Sequence, residues 1–270
     1  MLDNLPGDKA LEILASMGKN VYDDAFSPAM KEIGAGLADA VRSTLFPIAL
    51  ISDTADVLRE KYKRFLHKTF LKVPEDKLST PSPMVSAAII RDVLNAFEQE
   101  TVQEMYSNLL ASALHKDYKE KVHPSFPFII SQLGTLEILT LEQIKEKHFL
   151  PAVEAKVDYI EPESLPLPVV EPFCLIPGHE DDYTNVAATL YNLSRLGLLH
   201  KVAPMMKALS PNPFDEIYNS KPFLPVRNIL QEMENNHLKL DGSRIRIEHE
   251  CFAPTALGQS FLETCVSYPA

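Results

Sequence analysis

Few stretches of this chain combine residue types and spacing that could do chemistry. Arg195 and His200 are separated by four residues in RLGLLH, and on one helix face such a pair could hold a phosphate and move a proton. The run HEDD at 179–182 offers donors to a metal, but an acidic loop that caps the next helix is the simpler interpretation, so we predict no metal site. His123 has no nucleophile or orienting acid beside it in sequence, so we interpret it as a turn histidine.

The segment 183–203 contains the elements that would position the arginine and the histidine. Apolar residues at helical spacing predict a helix over 183–197 with Gly197 as its left-handed cap, and a short β-like segment follows. RIRIEHECF at 244–252 alternates with period two, which predicts a strand, and a last helix begins after it. A helix, a strand pair and a terminal helix are typical of a winged-helix-like unit, here with a long insertion between the helix and its wing.

Two functions of other classes remain open. The spacing of Arg195 and His200 is similar to that of HEPN-type ribonucleases, although Gly197 should end the helix between them. A winged-helix transcriptional regulator needs polar and basic side chains on the outer face of its recognition helix. Between Thr184 and Leu199 the one charged residue is the arginine, and two aspartates at the helix start would repel DNA. Nucleic-acid binding through this helix is therefore not expected.

Helical periodicity dominates the first 150 residues, and prolines with β-branched runs replace it afterwards. The predicted fold is mostly α, with an N-terminal helical bundle over 1–120 and a C-terminal winged-helix-like α/β domain over 121–270 that contains proline-rich insertions. The clearest predicted helices lie at 53–70, 84–98, 100–115, 125–133 and 135–149.

Composition excludes several classes of protein. The 270 residues include 26 basic and 37 acidic ones, a net charge of −11, which argues against a general nucleic-acid coat. The three cysteines form no CxxC pair, so neither a disulfide framework nor a zinc site is expected. We therefore expect the protein to reside in a reducing cytoplasm. No signal peptide or conventional transmembrane helix is predicted. Phosphate-loop, zincin, nucleophile-elbow and Rossmann motifs are missing, so we predict no cofactor and no catalytic residues. A non-enzymatic role is favoured, with the ribonuclease hypothesis as the open enzymatic alternative.

An apolar segment followed by a basic one is the most informative physical feature. Residues 33–51 are mostly small and apolar, and the window 59–72 has a net charge of +5 in an otherwise acidic chain. Peripheral membrane proteins use this order, with apolar side chains in the interface and lysines at anionic headgroups. A buried helix followed by a solvated one is the alternative. The candidate membrane-binding or partner-binding residues are Leu45, Phe46, Ile48, Arg59, Lys61, Lys63, Arg64 and Lys68.

Several motifs occur in the order that one bacterial family shows. EMYSNLLASALHKDYKEKVHPSFPFIISQLGTLE at 104–137 resembles the central signature of the abortive infection alpha proteins. NLSRLGLL at 192–199 and TALGQSFLETC at 255–265 are similar to the C-terminal signature, and LFPIALI at 45–51 is similar to the upstream one. The resemblance covers most of residues 33–265.

The resemblance implies a role in phage defence, in a cytoplasmic protein that harms or arrests the infected cell. It supplies no catalytic residue set, and the signature residues Asn108, His123, Pro124 and Phe126 are expected to do structural work. We expect the protein to act through protein partners or a homo-oligomer and through an anionic membrane surface, with peripheral association at the inner face of the membrane.

Overall fold

The structure is a computed structural model. Besides six single positions between 33 and 44, it describes residues 55–158, 167–180, 182–203, 212–221, 223–224, 227–228, 231–232 and 244–268. Within these residues the chain is mostly helical, with one small antiparallel sheet of four strands. Two compact units are present: one comprises the described residues up to Gln132 together with those from Ser260 onward, and the other is Leu133–Gln259.

The helices predicted between residues 53 and 149, the helix predicted at 183–197 and the strand predicted at 244–252 are present, and the structure adds a short helix at 215–218. In chain order the helices and strands are α1 (Ala55–Phe70), α2 (Pro83–Val93), α3 (Glu100–Leu114), α4 (Phe126–Ile130), α5 (Thr135–Lys147), β1 (Leu150–Asp158), β2 (Leu167–Phe173), α6 (Tyr183–Arg195), β3 (Leu199–Val202), α7 (Asp215–Tyr218), β4 (Arg244–Pro254) and α8 (Ala256–Phe261). A π-helical turn, Leu262–Val266, continues α8.

Helix α3 is the centre of the first unit. Its residues from Met105 to Leu114 are all buried, because MYSNLLASAL has no charged side chain to keep in water. It packs against α1, α2, α4 and the π-helical turn. Its buried polar side chains have partners: Ser107 Oγ lies 3.0 Å from Thr69 Oγ1, and Ser112 Oγ donates to the carbonyl of Thr264 at 3.1 Å. The buried hydroxyls therefore join helices rather than weaken the core.

The second unit is built on the sheet, whose strand order is β2-β1-β4-β3 with antiparallel neighbours throughout. Helix α6 packs against α5, β2 and β3. Its apolar stripe of Val186, Leu190 and Leu193 is buried, as helical spacing predicts for an amphipathic helix. Burial of this stripe fixes which face of α6 remains in solvent.

Gly197 ends α6 in a Schellman motif. Its φ is +74°, the left-handed region that the sequence predicts for this glycine. The Gly197 N–H donates to Ser194 O at 3.0 Å, and the Leu198 N–H donates to Leu193 O at 3.0 Å. These two bonds satisfy the last carbonyls of the helix and turn the chain into β3.

The division into units differs from the boundary between residues 120 and 121 that the sequence suggests. Residues 121–132 and 260–270 belong to the first unit. The physical reason is the contact of Phe126 with Phe261, whose rings meet edge to face with centroids 5.2 Å apart. Periodicity along the chain does not register a contact between residues so far apart.

Candidate functional site

The described members of the predicted basic cluster lie on α1. Lys63 and Arg64 are exposed, Lys68 is half-exposed, and Lys61 is largely covered. The remaining candidates lie outside the described residues: Leu45, Phe46, Ile48 and the side chain of Arg59.

Acidic residues from elsewhere in the first unit compensate part of this cluster. Lys61 pairs with Glu98, and Lys68 Nζ lies 2.6 Å from Glu104 Oε2. Within α1 itself, the guanidinium of Arg64 lies 3.9 Å from the carboxylate of Glu60. Exposed pairs of this kind are worth little, about 0–1 kcal/mol. The lysines can therefore exchange these partners for other anions at small cost.

Two large apolar side chains accompany the cations. Val57 is 58% exposed and Leu71, just after α1, is 72% exposed. Val57, Arg64, Lys68 and Leu71 follow one another at intervals of seven, four and three residues, so they lie along one stripe of the helix. We call this stripe, together with the exposed Lys63 about 100° further round the helix, the basic face of α1.

The signature residue Asn108 joins α3 to the segment after α1 and to the π-helical turn. Its Nδ2 donates to the carbonyl of Cys265 at 3.0 Å, and its Oδ1 accepts a hydrogen bond of 2.6 Å from Lys72 Nζ. The Cys265 carbonyl lies in the last turn of its helix, where intrahelical donors run out. Lys72 Nζ also donates to Glu104 Oε1 at 2.6 Å. Burial lowers the pKa of Lys72, although Glu104 opposes the shift.

The stability of this cluster should depend on pH through Glu104. Burial by itself raises the pKa of this carboxyl, but hydrogen bonds from Lys68 and Lys72 outweigh burial and leave the pKa below its ordinary 4.5. A depressed carboxyl pKa contributes stability that is fully present above the ordinary pKa and is lost as the pH falls through the native one.

We expect Glu104→Gln to remove this acid-dependent contribution. The variant should lose about 1 kcal/mol of unfolding free energy near neutral pH, since the carboxyl is partly solvated. Urea unfolding measured from about pH 6 to about pH 3 should show a shallower decline for the variant than for the wild-type chain. Equal slopes would contradict the assignment. Glu120→Gln, an exposed carboxyl for which the structure shows no bond, is the control and should behave as the wild type.

The same cluster forms one wall of a cavity of about 740 Å³. Its lining also includes His115, Tyr118 and Tyr268. His115 is buried, and its Nδ1 accepts the Asp117 N–H at 3.1 Å. A cavity of this size is in the range that small ligands occupy.

The other signature residues build the turn before α4. His123 Nδ1 lies 2.7 Å from Ser125 Oγ and accepts the Ser125 N–H at 3.2 Å. The Phe126 N–H donates to His123 O at 3.0 Å, and α4 begins at Phe126. Pro124 occupies the exposed part of this turn, and Phe126 is fully buried. These contacts fix where α4 starts.

Arg195 and His200 do not form a site on one helix face. Helix α6 ends at Arg195, whereas His200 is an exposed residue of β3 beyond the turn at Gly197. The Arg195 guanidinium donates to Asn192 Oδ1 at 2.8 Å. The two residues therefore lack the shared helix face that a HEPN-type ribonuclease would require. The left-handed Gly197 redirects the chain between them.

The sheet of the second unit has a charged cluster that the sequence did not reveal. Carboxylate oxygens of Glu154, Glu248 and Glu250 lie within 4.8 Å of one another. Two lysines separate them: Lys156 Nζ lies 2.7 Å from Glu248 Oε2, and Lys201 Nζ lies 2.7 Å from Glu250 Oε2. Both lysines also contact Glu154, which is buried. The alternation RIRIEHECF indicated a polar strand face but not its partners on β1 and β3.

The cysteines are buried, and the described helices are short. Cys174, Cys251 and Cys265 are buried free thiols, and burial raises the pKa of Cys174 to about 12. Among the described residues, no helix combines the length and the apolar character that crossing a bilayer requires.

The chain matches one family model, described as abortive infection alpha, over residues 53–265. No curated protein and no solved structure matches it. The match covers most of the chain and includes Asn108, which lines the cavity, and the signature residues at the start of α4. The resemblance predicted from the sequence is confirmed, and the chain belongs to the abortive infection alpha family.

Proposed function

We propose that this protein acts in phage defence by abortive infection, and that the basic face of α1 engages an anionic membrane surface. Family membership supports the first part. The second part rests on one observation, the exposure of Val57 and Leu71 on the stripe that also carries Arg64 and Lys68. Large apolar side chains beside cations match the chemistry of a headgroup layer, where the apolar groups leave water and the cations remain solvated by phosphates.

The energies make reversible binding reasonable. Each basic residue near an anionic surface contributes about 1 kcal/mol. Burial of an exposed leucine or valine in the interface adds about 1.5–3 kcal/mol for full burial. Three cations and two apolar side chains therefore provide enough for peripheral association and far less than the insertion of a spanning helix.

Reversing the charge of the most solvated cations should abolish this association. We expect Lys63→Glu combined with Arg64→Glu to reduce flotation with anionic liposomes and phage protection by about tenfold or more, because each reversal replaces attraction by repulsion. The variant should unfold within about 0.5 kcal/mol of the wild type, since both side chains are exposed. Lys145→Glu combined with Lys147→Glu makes the same charge change on exposed residues of α5 and is the control.

The salt dependence of flotation distinguishes the electrostatic contribution to membrane binding from the apolar contribution. Flotation of the wild-type chain should be strong at low ionic strength and weaken as salt screens the headgroups. Unchanged flotation and protection in the double variant would contradict the membrane role. Lost protection without any flotation of the wild type would also contradict it, and would direct the search to an acidic protein surface that meets the same face.

We further infer that the second unit is winged-helix-like and that the helices of the first unit form a bundle. The pair α5 and α6, followed by β3 antiparallel to β4, supports the former. Among the α6 side chains that the structure describes, the exposed ones are Thr184, Asn185, Ala188, Tyr191 and Arg195, of which one is a cation. A DNA-reading face needs several, so this composition favours a scaffold for protein contacts.

A further inference from the structure

The cavity of the first unit has a wall that is fixed by backbone hydrogen bonds. The Ser79 N–H donates to Leu114 O at 2.7 Å, and the Lys116 N–H donates to Lys77 O at 2.9 Å. These bonds hold the strap between α1 and α2 against the end of α3. Lys77 Nζ also lies 2.6 Å from Asp117 Oδ2 across the same strap. A ligand would thus meet a surface that is already ordered, which lowers the entropic cost of binding.

Three rings at the cavity form a group. The ring centroids of His115 and Tyr118 are 4.7 Å apart, and Tyr268 lies 6.2 Å from the first and 6.3 Å from the second. All three residues line the cavity. Aromatic groups of this kind bind flat rings by stacking and edge contacts.

The hydroxyl of Tyr268 is buried, and within the described part of the chain no group forms a hydrogen bond with it. A buried polar group without a partner costs about 1–3 kcal/mol. A phenylalanine at this position would provide the same ring without the buried hydroxyl. A bound molecule that formed a hydrogen bond with this hydroxyl would remove that cost.

The lysines and carboxylates that line the cavity balance in charge, and Lys68 beside the cavity adds one positive charge. Lys68 and Lys72 share the carboxylate of Glu104, with Nζ–O distances of 2.6 Å each. Two ammonium groups therefore face one carboxylate, while Lys77 and Asp117 neutralise each other. The Lys72 ammonium is also mostly covered, with 16% of its side chain exposed. A second anion beside Lys72 would complete the charge balance in a site of reduced solvent screening.

We propose that this cavity binds a small anionic molecule with a flat ring, of the nucleotide class. The acid group would lie at Lys72, the ring would lie against His115, Tyr118 and Tyr268, and a polar edge of the molecule would reach the Tyr268 hydroxyl. The ligand contact lies at Lys72, while Lys68, which shares Glu104 with it, also belongs to the basic face of α1. Charge reversal at Lys63 and Arg64 therefore tests membrane engagement without changing a residue of this site.

The test uses the full chain with the four ribonucleoside monophosphates and ATP as probes, by calorimetric titration and thermal unfolding. At least one nucleotide should bind with a dissociation constant below 1 mM and raise the unfolding temperature with concentration. Inorganic phosphate and the matching nucleoside should each bind at least about tenfold more weakly than the nucleotide, because each satisfies only one part of the site.

Two substitutions separate a ligand role from a structural one. Lys72→Met keeps the apolar stem and should weaken nucleotide binding about tenfold or more. Tyr268→Phe should weaken it about fivefold to tenfold, while the unliganded variant unfolds at the same temperature as the wild type or above it, because it loses an unpaired buried hydroxyl. Lys145→Met, an exposed lysine of α5, is the control and should bind as the wild type.

Three results would overturn the proposal. One is that no nucleotide in the panel binds at millimolar concentration. Another is that Lys72→Met and Tyr268→Phe both bind with wild-type affinity. The third is that inorganic phosphate alone binds as tightly as the nucleotides, since the rings would then take no part.

Discussion

Replacing Phe126 with alanine is expected to lower the free energy of unfolding of the first unit by about 4 kcal/mol, the range measured for a fully buried phenylalanine. Phe126 is 0% exposed and meets Phe261 edge to face at 5.2 Å between centroids. Alanine would leave a cavity between α4 and the terminal helix and would remove an aromatic pair worth about 1 kcal/mol. Chemical denaturation followed by circular dichroism gives the free energy directly.

Phe128 provides a matched control on the same helix. It lies two residues from Phe126 in α4 but is 64% exposed. Phe128→Ala should change the free energy of unfolding by no more than about 0.5 kcal/mol, because its ring is already in water. If the two variants unfold alike, the assignment of the buried face of α4 is wrong.

Replacing Gly258 with alanine is expected to destabilise the second unit by roughly 3 kcal/mol, at the upper end for overpacked cores. A Cβ at this position would lie 2.0 Å from the carbonyl oxygen of Leu198 and 2.9 Å from its carbon. Both atoms belong to backbone, so a side-chain rotation cannot relieve the overlap. Helix α8 would have to move away from the turn after α6, which Thr255 joins through its N–H to Leu198 O at 3.0 Å and its hydroxyl to Gly197 O at 2.6 Å.

Gly178→Ala separates this clash from the general cost of replacing a glycine. Gly178 has a φ of +80°, and a Cβ there would meet no heavy atom within 4 Å. Its substitution should therefore cost about 1–2 kcal/mol through backbone strain alone. Thermal unfolding of both variants would reveal the difference as a larger decrease in Tm for Gly258→Ala. An equal or smaller decrease for Gly258→Ala would contradict the close approach of α8 to Leu198.

These two substitutions also help to interpret phage-protection assays. Phe126→Ala and Gly258→Ala should reduce protection because less protein is folded, and cell extracts should contain less of it. Charge reversal at Lys63 and Arg64 should reduce protection with normal protein levels. The comparison therefore separates loss of the fold from loss of a surface.

Sequence periodicity was sufficient for most of the elements, and the family was recognised from a resemblance of motifs. Apolar residues at helical spacing predicted α1, α3 and α6, and the alternation RIRIEHECF predicted β4. The left-handed cap at Gly197 was also predictable, since glycine at a helix end has a local cause. All these features depend on residues within about one helical turn or one strand of each other, so the order of residue types determines them.

The tertiary structure decided which side chains meet. The pairing of Lys68 with Glu104, the bond from Asn108 to Cys265 and the burial of the Tyr268 hydroxyl depend on packing between segments far apart in the chain. The same holds for Glu154, whose burial between two lysines depends on strand register. Composition revealed a basic cluster, but only the folded chain distinguishes the cations that other residues neutralise from those that remain in solvent. The physical reason is that charge, burial and cavity shape are properties of neighbours in space, and the sequence specifies those neighbours only through the fold.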